Sequence, residues 1–434
     1  MRQPRRGGVI SSEGGRLPEV RPSVEETAFF QEDWQMHMSG LQTNIVAVAM
    51  VLFGIVPVSH GGSEEVPALS LPSPQVVAKT AQSPQQSMPA SLAKVFVAVA
   101  ASDTMAIRQA LQDGGDPNGL GFRVRDGLQL TPLGIAVSTG SIASMEVLLD
   151  AGARVNSEAS AVPPLWAASF QCKPAATSVL IARGANVNIR RGRSGLTPLL
   201  IACQSHCSSV ARLLLESGAD PHAATMDGVT PLMAAAWWGS VPVMRLLLAH
   251  DPDLLATDHA GHDGVYFASL RGHAECLRLL LEASADADRA NVEGWTALRA
   301  AARSGSISCV ELLLNQGAET DTTGRDGRTP LQAAAAHCHV DVMKKLMEAG
   351  ATLGISRDNW TTLDDAVQSG CPDAIRILLE SEAGAHAAVN HLDRAASDIQ
   401  REIYQAEHAP AMVARLVECK AIIAEARARL GGGH

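Results

Sequence analysis

One short motif, Thr-Pro-Leu or a close variant of it, recurs along the chain at an almost fixed spacing. Its copies begin at Thr131, Pro163, Thr197, Thr230, Asp263, Thr296, Thr329 and Thr361, at intervals of 32, 34, 33, 33, 33, 33 and 32 residues. A period near 33 held for more than two hundred residues indicates a stacked array of structural repeats. Such an array usually presents a surface to another macromolecule, so the period constrains both the fold and the kind of function.

Each unit contains the same local signals, and the unit around Thr230 shows them clearly. Asp227-Gly228 is a tight-turn dipeptide, because glycine tolerates positive φ and aspartate bonds its own backbone. Thr230 and Pro231 then provide an N-cap and a first helical residue. The pattern predicts a short alanine-rich helix that ends at Gly239, followed by a second helix with a Leu-Leu-Leu stripe.

These residues, together with closing turns of the Gly-Ala-Asp type, resemble the ankyrin repeat. The resemblance covers residues 92–385 and about nine units, the first of them degenerate. It implies an all-α solenoid of helix-turn-helix units with β-hairpin-like loops, arranged as a curved stack. In such a family, partners bind to the concave face and to the tips of the loops, here called fingers.

The segments before the repeats differ from them in composition. Residues 1–44 lack periodicity and are predicted to be disordered. Residues 45–58 form an uncharged apolar run that is short for a membrane span, which needs about 20 residues. This run suits the apolar part of a signal peptide or a membrane anchor, and a buried or incidental segment is the alternative. Residues 59–91 are rich in Pro, Ser and Gln and predict a linker.

The C-terminal region, residues 386–434, is helical in pattern. Solenoids need a cap over the last apolar face, so we interpret this region as a helical cap and the protein as a monomer. A decayed tenth repeat and a dimerisation arm are the alternatives. The net charge of −10 and the absence of a basic stretch argue against a nucleic-acid partner.

The eight cysteines are predicted to be mostly buried, unpaired thiols. Cys276 and Cys309 occupy equivalent places in adjacent units, and packed helices lie about 8–10 Å apart. That distance exceeds the Cα separation of up to about 7 Å that a disulfide allows. Four other cysteines fall at the turns between helices, namely Cys172, Cys207, Cys338 and Cys371. Unpaired thiols favour a reducing compartment.

Two clusters of cysteine and histidine could suggest a metal site. They are Cys203-x-x-His206-Cys207 and His337-Cys338-His339. Zinc needs four ligands that converge, and each cluster offers at most three on one short turn, so no metal is predicted. Because no phosphate-binding loop or nucleophile elbow is present either, we expect no cofactor and no catalytic activity.

The predicted binding residues occupy positions that the family exposes on its fingers and concave face. They are Phe170, Trp237, Trp238, Leu270, Trp295, Arg299, Arg303 and Trp360. Exposed aromatic and arginine side chains dominate binding hot spots, although these aromatics could instead cover neighbouring repeats. Since adjacent helix residues diverge, we expect Trp237→Ala to weaken partner binding and to leave thermal stability nearly unchanged.

The sequence therefore predicts a non-catalytic scaffold or adaptor that binds a protein partner. Two alternatives remain. The first is a membrane-tethered or exported structural spacer that depends on residues 45–58. The second is a regulatory or inhibitory subunit of a separate enzyme. The compartment follows from the role of residues 45–58: exported, periplasmic or membrane-anchored if they are a signal or anchor, and cytoplasmic otherwise.

Overall fold

A computed structural model describes residues 89–123, 129–157, 162–192, 194–356, 360–380, 392–405 and 410–431. The predictions for residues 1–44, 45–58 and 59–88 lie outside the described residues. Within the described ranges, no helix combines the length and apolar character that crossing a membrane requires.

The chain divides into two units. One comprises residues 1–89 and 121–129, and the other comprises residues 90–120 and 130–434. The described part of the first contains strand β1 (Gly121–Arg123), which pairs with the short strand β2 (Gln129–Leu130). The second is helical and carries all the repeats.

Nine helix pairs follow one another in this helical part, and we number them as units 1 to 9. The pairs are α1 (Ala90–Ala100) and α2 (Thr104–Gln112); α3 (Pro132–Thr139) and α4 (Ile142–Asp150); α5 (Pro164–Phe170) and α6 (Pro174–Ala182); α7 (Pro198–Gln204) and α8 (Ser208–Glu216); α9 (Pro231–Trp238) and α10 (Val241–Leu248); α11 (Gly264–Arg271) and α12 (Ala274–Glu282); α13 (Ala297–Ser304) and α14 (Ile307–Asn315); α15 (Pro330–Ala336) and α16 (Val340–Glu348); α17 (Thr362–Gln368) and α18 (Pro372–Glu380). Two further helices are α19 (Leu392–Gln405) and α20 (Pro410–Gly431).

The predicted N-caps begin the first helices of the units. In α9, the Thr230 hydroxyl accepts a hydrogen bond from the Met233 amide at 3.3 Å, and Pro231 occupies the first turn. Equivalent threonines cap α3, α7, α13, α15 and α17. Asp263, which replaces threonine in unit 6, accepts from the Tyr266 amide at 2.8 Å. The motif therefore fixes where each of these helices starts, because it satisfies an amide that the helix itself leaves free.

Each helix packs against its counterpart in the next unit, first helix on first and second on second. The same leucine of successive second helices is almost fully buried, as in Leu180, Leu214, Leu247, Leu280, Leu313 and Leu346. Burying one such side chain contributes roughly 1.5–3 kcal/mol. The 33-residue period is therefore the period of a continuous apolar core.

Main-chain hydrogen bonds join neighbouring fingers. The amides of Met226, His259, Val292 and Arg325 each donate to a carbonyl in the finger of the preceding unit, at 2.8–3.0 Å. Side chains join the closing turns in a similar way. For example, Asn188 donates to the Gly218 carbonyl and accepts from the Asp220 amide. Each unit thus positions the next through backbone contacts as well as through the core.

The two C-terminal helices continue the stacking. Helix α19 packs against α17, and α20 packs against α18, so they cover the two helices of unit 9. Leu416, Cys419 and Ile423 of α20 are fully buried. Arg376 of α18 and Glu418 of α20 form an ion pair at 2.6 Å. This arrangement is the helical cap that a solenoid requires.

The prediction of mostly unpaired cysteines was wrong for four of the eight. Cys172 is joined to Cys207, and Cys338 to Cys371, each pair with a Cα separation of 5.5 Å. Both disulfides link consecutive units through their inter-helix turns.

The reason lies in the geometry of those turns. The turn after each first helix contains one residue with a left-handed backbone, which is glycine in five of the nine units. A Cβ added to Gly239 would lie 2.6 Å from the His273 ring of the next unit. In unit 3 and in unit 8, Cys172 and Cys338 hold this position with φ of 51° and 59°. Their side chains therefore face the residue that follows the turn of the next unit, which is again cysteine.

The remaining thiols are as predicted. Cys203, Cys276, Cys309 and Cys419 are buried and unpaired. Burial raises the pKa of each of them, so they remain protonated and unreactive at neutral pH. In both suspected metal clusters, one cysteine belongs to a disulfide. Across the described part of the chain, no group of three or more His, Cys, Asp or Glu side chains is placed to hold a metal ion.

Candidate functional site

The partly exposed members of the predicted binding set lie at the ends of first helices or on fingers. We call them the first-helix surface: Phe170, Trp238, Leu270, Trp295, Arg303 and Trp360. Phe170 ends α5, Trp238 ends α9 and Leu270 lies one residue before the end of α11. The surface thus includes residues of units 3, 5, 6, 7 and 9 and combines apolar side chains with a guanidinium.

Trp237 does not belong to this surface, contrary to the sequence prediction. Its side chain is only 8 % exposed. The indole meets the Phe267 ring edge-on at 5.4 Å, and the Arg271 guanidinium lies 4.9 Å from its centre. Because a helix in a stack is packed on both sides by neighbouring units, two adjacent residues of one helix can both be covered.

Trp238 is the better candidate of the two. Its ring is half-buried, and its indole nitrogen has no hydrogen-bond partner among the described residues. That nitrogen is itself covered, so only the exposed part of the ring is available to a partner.

Exposure of the finger residue that precedes Thr-Pro-Leu changes along the array. The first five such residues are buried: Leu130, Val162, Leu196, Val229 and His262. The last three, Trp295, Arg328 and Trp360, are partly exposed. Trp166 and Tyr266, which lie in the first turns of their helices, are also buried. The accessible part of the predicted finger surface is therefore confined to units 7 to 9.

Arginine side chains lie over four of the five tryptophans that the structure describes. Arg191 lies over Trp166, Arg271 over Trp237, Arg299 over Trp295 and Arg394 over Trp360, at 4.6–5.2 Å from the ring centres. Sequence reasoning missed this pairing, since each arginine is between 4 and 34 residues away from its ring. The contacts hold the guanidinium groups in fixed positions over the rings.

Arg299 is one of the predicted binding residues, but it is already engaged within the protein. It is 9 % exposed and lies over Trp295. Its two terminal nitrogens donate to the carboxylate of Asp326 at 2.8 and 2.5 Å. This charge-assisted bond holds the pKa of Asp326 below its ordinary value, against the effect of burial. Arg299 therefore orients Trp295 and the finger of unit 8.

Trp360 is held by a buried polar group in unit 9. Its indole nitrogen donates to Asp365 at 3.0 Å, and Asp365 also accepts from Gln332. Arg328 approaches the same carboxylate at 3.4 Å. Burial raises the pKa of Asp365 to about 6, although Arg328 and Trp360 oppose that shift.

The raised pKa of Asp365 predicts that stability falls as pH rises from about 4 to about 6. Below pH 4 the carboxyl is protonated in both folded and unfolded chains. Above pH 6 the folded chain holds a buried carboxylate that the unfolded chain would expose to water. The loss should be on the order of 3 kcal/mol. Urea denaturation of the protein and of Asp365→Asn at pH 4 and pH 7.5 measures it. The difference in unfolding free energy between the protein and Asp365→Asn should change between the two pH values. A constant difference would contradict the raised pKa of Asp365.

Arg303 completes the site and differs from Arg299. It is half-buried at the end of α13, one unit beyond Leu270. Burial lowers the pKa of its guanidinium, and the neighbouring Arg299 lowers it further. No carboxylate pairs with Arg303 among the described residues. It is thus a partly desolvated cation that faces the surface.

The helix pairs, the finger contacts and the C-terminal cap define a helical repeat protein. A family model, "Ankyrin repeats (3 copies)", matches residues 165–258, 250–324 and 316–391. These segments span more than half of the chain, which belongs to the ankyrin-repeat family.

Two known proteins illustrate the similarity. The transient receptor potential cation channel subfamily A member 1 homolog of Caenorhabditis elegans is 31 % identical over 100 residues, which are 23 % of this chain. The chain spans only 8 % of the length of that relative. The crystal structure of the human ASB11 ankyrin repeat domain is 31 % identical, with a TM-score of 0.43. That match covers 47 % of this chain and 91 % of the solved one.

Proposed function

We propose that the protein is a non-catalytic adaptor that binds a protein partner through the first-helix surface. The observation that carries this proposal is the composition of the positions that remain accessible. Phe170, Trp238, Leu270, Trp295, Arg303 and Trp360 combine large apolar rings with a cation, which is the composition of binding hot spots. Ankyrin repeats are generally protein-interaction modules, which supports the same conclusion.

Within this proposal the predicted residues have two different roles. The six residues of the first-helix surface contact the partner. Trp237 and Arg299 are covered by other side chains, so they hold the surface in place rather than contact the partner directly.

Affinity capture with the full chain tests the proposal. The double variant Trp238→Ala/Leu270→Ala should recover at least tenfold less partner than the wild-type chain, because it removes two central apolar side chains. Its unfolding temperature should stay within a few degrees of the wild-type value. Arg212→Glu, at an exposed position of α8, is the matched control and should retain full recovery. Equal recovery by the double variant would contradict the proposal.

We also propose that the protein works in an oxidising compartment, as the exported spacer would. Support comes from the two disulfides, since such bonds persist in extracellular and periplasmic proteins and are rare in reducing ones. Residues 45–58 are the segment suited to routing it there. Mass spectrometry after thiol alkylation of the denatured, unreduced protein from its native cells should show four modified cysteines, because unfolding exposes the four buried free thiols. Eight modified cysteines would contradict this compartment.

A further inference from the structure

The surface around Arg303 has a charge that the protein itself does not neutralise. Arg299, four residues earlier on α13, binds Asp326, and Arg328 on the next finger pairs with Asp365. Arg303 has neither an ion pair nor a side-chain hydrogen bond among the described residues, although it is half-buried. A partly desolvated charge of this kind is unfavourable unless a counter-charge is supplied.

A hydrogen-bond donor lies on α11, the helix that packs against α13 and its Arg303. Tyr266 is buried, and burial raises its pKa to about 12, while Arg303 and Arg299 act in the opposite direction. Its hydroxyl is therefore protonated at neutral pH. No hydrogen bond of that hydroxyl is found among the described residues. Together, the Tyr266 hydroxyl and the Arg303 guanidinium offer donors with no acceptor of their own.

A second cation lies one unit away. Arg271 ends α11, is exposed, and is fixed over the Trp237 ring. It also lacks a carboxylate partner in the described part of the chain. Because α11 and α13 pack against each other, their axes lie about 10 Å apart. An extended peptide rises about 3.3 Å per residue, so two of its carboxylates three residues apart would match this spacing.

We propose that the first-helix surface at units 6 and 7 binds an acidic peptide segment, with one carboxylate held by Arg303 and Tyr266 and a second by Arg271. This inference rests on the proposed partner-binding function and specifies the chemistry of the partner. Leu270 precedes Arg271 and holds the position in α11 that Arg303 holds in α13, so it supplies an apolar side chain to the same surface. Carboxylates suit this site because guanidinium groups bind them through two parallel hydrogen bonds.

Selection from a phage-displayed library of random dodecapeptides against the full chain tests the proposal. The selected peptides should be enriched in Asp and Glu with a spacing of about three residues. A synthetic peptide of that sequence should bind Arg303→Gln at least tenfold more weakly than wild type, and Arg212→Gln equally well. Peptides that need Trp238 and Leu270 but carry no acidic residues would overturn this inference and leave the proposed function intact. If no selected peptide depends on Trp238 or Leu270, the proposed function itself fails.

A second measurement needs no partner. Because Arg303 is unpaired and partly desolvated, Arg303→Met should leave the unfolding temperature unchanged or raise it by about 2 °C. Arg299→Met, which leaves Asp326 without its partner, should lower it. If Arg303→Met lowers the unfolding temperature as much as Arg299→Met does, Arg303 is a structural residue and the inference is overturned.

Discussion

Reducing the two disulfides is expected to destabilise the array more than any single surface substitution. Cys172–Cys207 and Cys338–Cys371 close loops with sequence separations of 35 and 33 residues. The chain-entropy argument gives about 4 kcal/mol for each loop of this length. Urea denaturation with and without a phosphine reductant should therefore show a large shift of the midpoint to lower urea. An unchanged midpoint would show that the cysteines are not paired.

A matched variant separates the effect of losing a disulfide from the effect of disturbing the turn that carries it. The double substitution Cys338→Gly and Cys371→His recreates the arrangement of Gly305 and His339, where the histidine ring bonds a carbonyl of the preceding unit at 3.0 Å. It also removes a non-glycine residue from a left-handed backbone, which costs roughly 1–2 kcal/mol. This variant should be less stable than the oxidised wild type and less sensitive to reductant, because it retains one disulfide.

Trp237→Ala is expected to destabilise the protein by about 3–5 kcal/mol, the range for removing a buried aromatic side chain. The ring is covered by Phe267 and Arg271, so its loss leaves a cavity between units 5 and 6. Trp238→Ala, which removes a half-exposed ring, should cost far less. Urea denaturation of both variants measures the difference. If both variants lose the same small amount of unfolding free energy, Trp237 lies at the surface instead.

The sequence predicts the fold of this chain well, because the fold is local and repeated. The period defines nine helix pairs, and the Thr-Pro step fixes where each first helix starts. Even a departure such as Asp263 retains the same capping bond. In a solenoid each unit contacts mainly its neighbours, so the fold depends on few contacts between residues far apart in the sequence.

The site is harder to predict, because it depends on contacts between residues that hold different positions in their respective units. Each disulfide joins the turn after a first helix to the start of the second helix in the following unit. A comparison of cysteines at equivalent positions, such as Cys276 and Cys309, does not detect a pair of this kind. Trp237 was misplaced for the same reason, since its cover comes from unit 6. The stacking of Arg191 on Trp166 has no sequence pattern that would have revealed it.

Oxidative footprinting of the complex with a captured partner tests the central claim most directly. If the first-helix surface is the binding site, hydroxyl-radical oxidation of Trp238, Leu270 and Trp295 should slow at least threefold in the complex. Met105 of α2, which is 74 % exposed, and Val417 of α20 should be oxidised at unchanged rates. Protection of Met105 or Val417, with Trp238 and Trp295 unaffected, would contradict the account and place the partner elsewhere on the array.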